Sequence, residues 1–218
     1  MKTPVPPAPP AAVRARLLDA ARARLFASGY RAFLMDDLAR DLGMSKKTLY
    51  VHFPGKDALI GAIIDEMGEA IRSRMDVVLT NPRLNFAQKL SGVIDVVGSQ
   101  LAKASPGMLH DLQRYAPQLF QRIDNVRQRN VPIVFGRLIR AGLDEGKVRP
   151  EIEPAFAVEF WLQAIRGLVH PDVLERTGLT PRQTLEKALP LFFSGLLSST
   201  GHKDYEKILA SRPKAAAV

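Results

Sequence analysis

The sequence predicts an all-α fold: a small N-terminal helix-turn-helix domain of three helices, then a larger C-terminal helical domain. Three observations carry this. Apolar residues recur at spacings of three and four along almost the whole chain beyond residue 10, and few stretches alternate as a strand would. Glycines, prolines and capping residues punctuate that pattern at the ends of each stripe. Between residues 35 and 52, two short stripes are separated by a single glycine, Gly43.

The first helix spans about 11–28, with Val13, Leu17, Leu18, Ala21, Leu25 and Phe26 on one stripe and Gly29 after its end. Its arginines, Arg14, Arg16, Arg22 and Arg24, lie mostly off that stripe. The second helix runs over 35–42, with Asp36 and Asp37 in its first turn, where the helix dipole favours negative charge. Ser45 is a good N-cap for a third, short helix ending at His52, and Pro54 disfavours helical geometry at Phe53. A long fourth helix follows over 56–79, its stripe running from Ile60 to Val78, until Asn81-Pro82 breaks it.

Further helices are expected at 84–104, at 106–115 behind Ser105 and Pro106, and at 117–145 with Pro132 placed to kink it. Residues 154–170 are apolar nearly all round, which predicts burial of both faces. The last helix opens with Thr180-Pro181-Arg182-Gln183, a capping box with proline at N1, and carries a long stripe from Leu185 to Leu197. The expected organisation is an extended Pro-rich arm at 1–10, the helix-turn-helix domain at 11–55, the helical domain at 56–199 and a flexible polar tail at 200–218.

Composition bounds the function. The chain of 218 residues carries a net charge of +9. Residues 1–58 hold ten Lys/Arg against five Asp/Glu, so +5 sits in about a quarter of the length. A basic N-terminal quarter points to an anionic partner, nucleic acid or a membrane surface. The absence of cysteine excludes disulfides, thiol catalysis and zinc–thiolate sites, and fits a cytoplasmic protein. No apolar run approaches the ~18 residues of a membrane span. The segment MKTPVPPAPP lacks the apolar core of a signal peptide.

The segment SKKTLYVHFPGK, residues 45–56, carries the chemistry. In a helix-turn-helix pair a small residue must stand where the helices cross, and Ala39 does. A residue tolerant of positive φ must make the turn, and Gly43 does. Leu38, Leu42, Met44 and Leu49 have the spacing of the wedge between the helices. That leaves Lys46, Lys47, Thr48, Tyr50, Val51 and His52 on the outward face, with Ser45 at its start. Lysines neutralise phosphates or donate to guanine acceptors, and threonine and tyrosine hydroxyls reach phosphates or base edges. Lys56, at the positive end of the fourth helix, is a further phosphate contact. Phe53 is expected to pack beneath the motif.

With these residues in place, residues 11–60 resemble the N-terminal DNA-binding domain of the TetR (tetracycline repressor-like) family. Gly43-Met44-Ser45, Thr48-Leu49-Tyr50, Phe53, Lys56 and Leu59 match that family's most characteristic segment; the helical region beyond matches in style only. The resemblance implies a homodimer of nine or ten helices per chain, binding double-stranded DNA at an inverted-repeat operator. It implies a C-terminal domain for ligand binding and dimerisation, with the last two helices forming a four-helix interface. Phe156, Phe160, Leu185, Leu189, Phe192, Phe193 and Leu196 are assigned to that interface. One departure stands out. The family commonly caps its second helix with threonine, and Leu34 occupies that place here.

The same resemblance implies a pocket among the helices between 84 and 170, with Phe86, Met108, His110, Arg114, Tyr115, Phe120, Phe135, Trp161 and Gln163 as candidate ligand contacts. The effector is then an apolar or amphipathic small molecule. The four histidines, at 52, 110, 170 and 202, show no metal spacing. No metal, cofactor or catalytic residue is expected: the chain has no G-x-x-x-x-G-K-[ST], H-E-x-x-H or G-x-S-x-G. The reading is therefore a ligand-responsive DNA-binding regulator, a repressor rather than an enzyme. The alternative is a helical partner-binding or membrane-surface protein, for which the basic first helix gives some footing.

Overall fold

Local signals set most helix ends, and the helices then stack around two long ones. The computed structural model describes residues 10–210. Over these residues the helices are α1 (Pro10–Ser28), α2 (Met35–Asp41), α3 (Lys46–His52), α4 (Lys56–Thr80), α5 (Phe86–Leu101), α6 (Pro106–Tyr115), α7 (Pro117–Asp144), α8 (Pro154–Leu168), α9 (Pro171–Thr177), α10 (Pro181–Leu196) and α11 (Ser199–Ala210). The arm at 1–10 and the end of the tail lie essentially outside the described residues.

The caps explain the boundaries. Ser105 accepts from the Met108 N–H with Pro106 at N1 of α6, and Thr180 with Gln183 closes a reciprocal capping box on α10. Asn85 and Gln88 make a second capping box that starts α5 at Phe86, two residues later than its periodicity suggests. Gly29 and Gly43 adopt φ of 76° and 63°, the left-handed conformation that lets the chain leave α1 and turn between α2 and α3.

Helix α4 packs on α1, α5 and α7, and α7 in turn packs on α5, α6 and α8. The pair α4–α7 is therefore the spine of the molecule. Gly68 permits a close approach within it: a Cβ there would stand 2.6 Å from a Val126 methyl.

Four expectations are corrected. The apolar run 154–170 stops at Leu168, and a separate short helix, α9, follows; Pro171 at N1 and Gly178 at its left-handed end (φ 67°) are the local reason. The faces of α8 are not both buried: Phe156 and Phe160 are 70% and 56% exposed. Residues 199–210 are not a loose tail but α11, docked on α5. Gly201 sits against the Lys147 carbonyl, Lys147 pairs with Asp204 at 2.7 Å, and Tyr205 packs on Phe193 with ring centroids 5.2 Å apart. With α9 and α11, the described residues form eleven helices rather than nine or ten.

Candidate DNA interface and effector cavity

The helix-turn-helix is built as its spacing requires. Leu38, Ala39 and Leu49 are buried between α2 and α3, with Leu42 and Met44 packed partly against them. The Met44 N–H donates to the Ala39 carbonyl at 3.0 Å across the Gly43 turn. Arg24 of α1 holds the pair from behind through Asp37 (2.6 Å) and Asp41 (2.5 Å) on α2. Leu34 precedes α2 in extended conformation, and no side chain caps that helix start.

On α3 the outward residues are free of the core. Lys46, Lys47 and Thr48 are exposed, Tyr50 is 45% exposed and Val51 76%. Ser45 accepts from the Thr48 N–H at 3.1 Å, and its hydroxyl lies 2.9 Å from that of Thr48, so both side chains are held at the helix start. His52 is partly buried and Phe53 is buried, with the Arg14 guanidinium over its ring. Two of the lysines have protein partners. Lys46 pairs with Asp36 across the turn, which raises its pKa. Lys56 lies 3.9 Å from the Tyr30 ring centre, and burial lowers its pKa against the pull of Asp57.

Asp57, the next residue, joins the helix-turn-helix head to the rest of the chain. Tyr30 donates to Asp57 Oδ1 at 2.8 Å and Gln118 of α7 donates to Oδ2 at 2.7 Å. Burial and that acceptor push the Tyr30 phenol up to about 12. Further along α4, Asp65 takes a bidentate pair from Arg122 of α7, which holds its carboxyl below the usual range, and Glu66 pairs with Arg22 of α1.

Between α4, α5, α6, α7, α8 and α10 lies a cavity of about 240 Å³. Ile63, Ile64, Met67 and Ile71 of α4 form one wall and Ile123, Val126 and Val131 of α7 another. Of the candidate ligand contacts, Met108, Phe135 and Trp161 line it. The others do not. Phe86 is buried outside the cavity, beneath Gly142. His110 is partly buried and also outside it. Arg114 and Tyr115 are exposed, Tyr115 lying between the guanidinium groups of Arg31 and Arg114 at the junction with the head. Phe120 meets His170 edge-on, and Gln163 is exposed and bonded to Glu159. The polar residues that do line the cavity are Gln100, Arg127 and Asn130. Arg127 and Asn130 fall in phase with the apolar stripe of α7, between Ile123 and Val134, which was the signal for them in the sequence.

The interface assignment divides. Phe156 and Phe160 are exposed, but Leu185, Leu189, Phe192, Phe193 and Leu196 are buried within the protomer. Their stripe on α10 turns toward the cavity and α8, because that is the side where apolar surface is available. The outward face of α10 offers Leu191 instead, 80% exposed. Among the described residues no cluster of metal-ligating side chains occurs, and no helix is long and apolar enough to cross a membrane.

Comparison with known proteins agrees with this architecture. Residues 17–63 match the family model of bacterial regulatory proteins of the tetR family. The uncharacterised HTH-type transcriptional regulator YvaF of Bacillus subtilis is 24% identical over 165 residues, covering 76% of this chain and 86% of YvaF. A transcriptional regulator from Cytophaga hutchinsonii shares the fold with a TM-score of 0.65 at 17% identity, over 84% of this chain and 98% of that one. SmeT of Stenotrophomonas maltophilia, in its complex with triclosan, superposes with a TM-score of 0.64 at 16% identity, over 95% of this chain and 98% of its own.

Proposed function

From the premise that this chain is a DNA-binding transcriptional regulator of the tetR family, we propose that it is a repressor that binds an inverted-repeat operator as a homodimer and is released by a small apolar or amphipathic effector. The observation that carries this reading is the course of α4. It starts at Lys56 beside the recognition helix and goes on to form one wall of the cavity with Ile63 to Ile71. A molecule entering the cavity therefore pushes on the element that supports the DNA-reading surface.

In this reading residues 11–55 are the DNA-binding domain and 56–210 the effector and dimerisation domain, working in the cytoplasm. Lys47, Thr48, Tyr50 and Val51 enter the major groove, Val51 offering methyl groups to thymine and the others hydrogen bonds to bases and phosphates. Ser45 and His52 flank them. Lys46 reaches a phosphate once it leaves Asp36, and Lys56 acts at the rim. The dimer forms through the outer faces of α8 and α10, with Phe156, Phe160 and Leu191 at its centre; an exposed apolar patch of this kind marks an interaction surface. SmeT, whose complex with triclosan shares this fold, supports a small-molecule effector.

The mechanism is geometric. A two-fold dimer must hold its recognition helices about 34–36 Å apart to occupy successive major grooves. Pressure on the Ile63–Ile71 wall tilts α4, and the ties of Asp57 to Tyr30 and of Glu66 to Arg22 transmit the shift to the head. Linkage then requires operator DNA to weaken effector binding by the same factor.

The test is selection of bound genomic fragments by the purified protein, with the Lys47→Ala/Tyr50→Ala variant as control. A shared inverted repeat that the variant fails to enrich supports the reading. Equal enrichment by both proteins, or binding that fades with salt and shows no preferred sequence, overturns it.

A further inference from the structure

Resting on the effector reading of the cavity, we propose that its ligand is an amphipathic anion: an apolar body with one carboxylate-like head that pairs with Arg127. Almost the whole lining is aliphatic or aromatic, which suits a hydrocarbon chain or fused ring. Arg127 is the one charged side chain in that lining, and no carboxylate faces it there.

Arginine stays protonated in proteins, so this charge must be compensated or left at a cost. The obvious intramolecular partner is already occupied. Asp124 lies one turn before Arg127 on α7, but its Oδ1 accepts from Arg166 Nε at 2.8 Å and its Oδ2 from Arg166 Nη2 at 2.8 Å and Gln128 Nε2 at 3.0 Å. Among the described residues no hydrogen bond or ion pair holds the Arg127 guanidinium. Burial pulls its pKa below the ordinary arginine value, Asp124 opposing the fall and Arg166 adding to it. The side chain is thus a partly buried cation with open donors at the wall of an apolar cavity. A planar guanidinium meets a carboxylate with two parallel hydrogen bonds, the strongest pairing open to it.

Asn130 stands one turn further along the same face. Its Nδ2 donates to the Gly68 carbonyl at 2.9 Å, across the close contact between α7 and α4, and its Oδ1 has no protein donor among the described residues. A head group drawn to Arg127 therefore bears on a stretch of α7 that packs closely on α4. A cationic ligand would meet repulsion there. A wholly neutral one would cover Arg127 and leave it unpaired.

Trp161 lines the cavity and is the one tryptophan of the chain, so its fluorescence reports occupancy directly. The full-length protein is titrated with decanoate, 1-decanol and decyltrimethylammonium, as wild type, Arg127→Met and Arg127→Lys. Decanoate should bind the wild type roughly tenfold or more tighter than decanol, and the quaternary amine weakest. Arg127→Met should hold decanoate and decanol about equally, and its decanol affinity, unchanged from wild type, shows that it folds. Arg127→Lys should recover part of the preference, keeping charge but losing the planar fork. Equal binding of decanoate and decanol to the wild type, or a preference that survives in Arg127→Met, overturns the assignment while leaving the effector cavity standing. If none of the three probes perturbs Trp161 or raises the thermal midpoint, the cavity reading falls, and this one with it.

Discussion

Phe160 of α8 and Phe192 of α10 lie nearly parallel, ring centroids 6.3 Å apart and planes within 11°. Phe192 is 8% exposed, while Phe160 is more than half exposed. The stack therefore marks the boundary between the interior of the protomer and its outer face. Behind Phe192, Trp161, Phe135 and Phe193 continue the aromatic cluster inward; on the outer side of the molecule Phe156 and Leu191 are exposed to solvent.

This boundary separates two substitutions that look alike in the sequence. Phe160→Asp should leave a folded monomer by sedimentation, with helicity intact and operator affinity reduced at least tenfold, because half-site pairing is lost. Phe193→Asp should instead unfold the protein, since it buries an unpaired charge in a packed core, at a cost above about 3 kcal/mol. A dimer surviving Phe160→Asp would move the interface elsewhere.

On the recognition helix, the partners of the lysines predict unequal effects. Lys47→Ala should weaken operator binding and lower the slope of log affinity against log salt by about one. Lys46 must first leave Asp36, so Asp36→Asn should tighten binding to non-operator DNA and steepen the salt dependence. Filter-binding or anisotropy titrations across salt concentrations read both. An unchanged slope in Asp36→Asn would show that Lys46 stays away from phosphates.

Gly201 tests whether α11 belongs to the folded core. A Cβ there would meet the Lys147 carbonyl oxygen at 2.1 Å, and backbone cannot yield as a side-chain tip can. Gly201→Ala should therefore cost about 1–3 kcal/mol by urea unfolding. A frayed terminal segment would absorb the same change with none.

The Tyr30–Asp57 bond carries a pH signature. The folded-state pKa of Tyr30 is raised from 10.0 to about 12, so the folded form holds this proton more firmly than the unfolded chain. The stabilisation it brings is fully present below pH 10 and is lost as pH rises toward about 12. Tyr30→Phe should remove that part of the alkaline decline in the urea midpoint; wild type and variant declining in parallel would contradict it. Tyr30 is partly buried but its bond to Asp57 lies at the surface, so solvent screening keeps the difference small.

Much of this architecture is legible in the chain because its causes are local. Ser45, Ser105-Pro106 and Thr180-Pro181-Gln183 cap helices through atoms three residues away, and Gly29 and Gly43 end them through their own backbone freedom. The same locality would have revealed α9, through Pro171 and Gly178, and α11, through the spacing of Gly201, Tyr205 and Ile208. The outward placement of Lys47, Thr48 and Tyr50 was legible too, because on a seven-residue helix the burial of Leu49 fixes where they point.

By itself the sequence determined the helices, their ends and the outward chemistry of α3, since each depends on neighbours within about one turn. Only the tertiary structure decided which side of an apolar helix is inside. The stripe of α10 reads equally well as core or as interface, and packing against α8 and the cavity turned Phe192 and Phe193 inward and left Phe160 and Leu191 out. Packing likewise gave Asp124 to Arg166, 42 residues away, and thereby left Arg127 at the cavity wall. The hydrophobic effect sets how much apolar surface is buried, and the shapes of distant elements set against what.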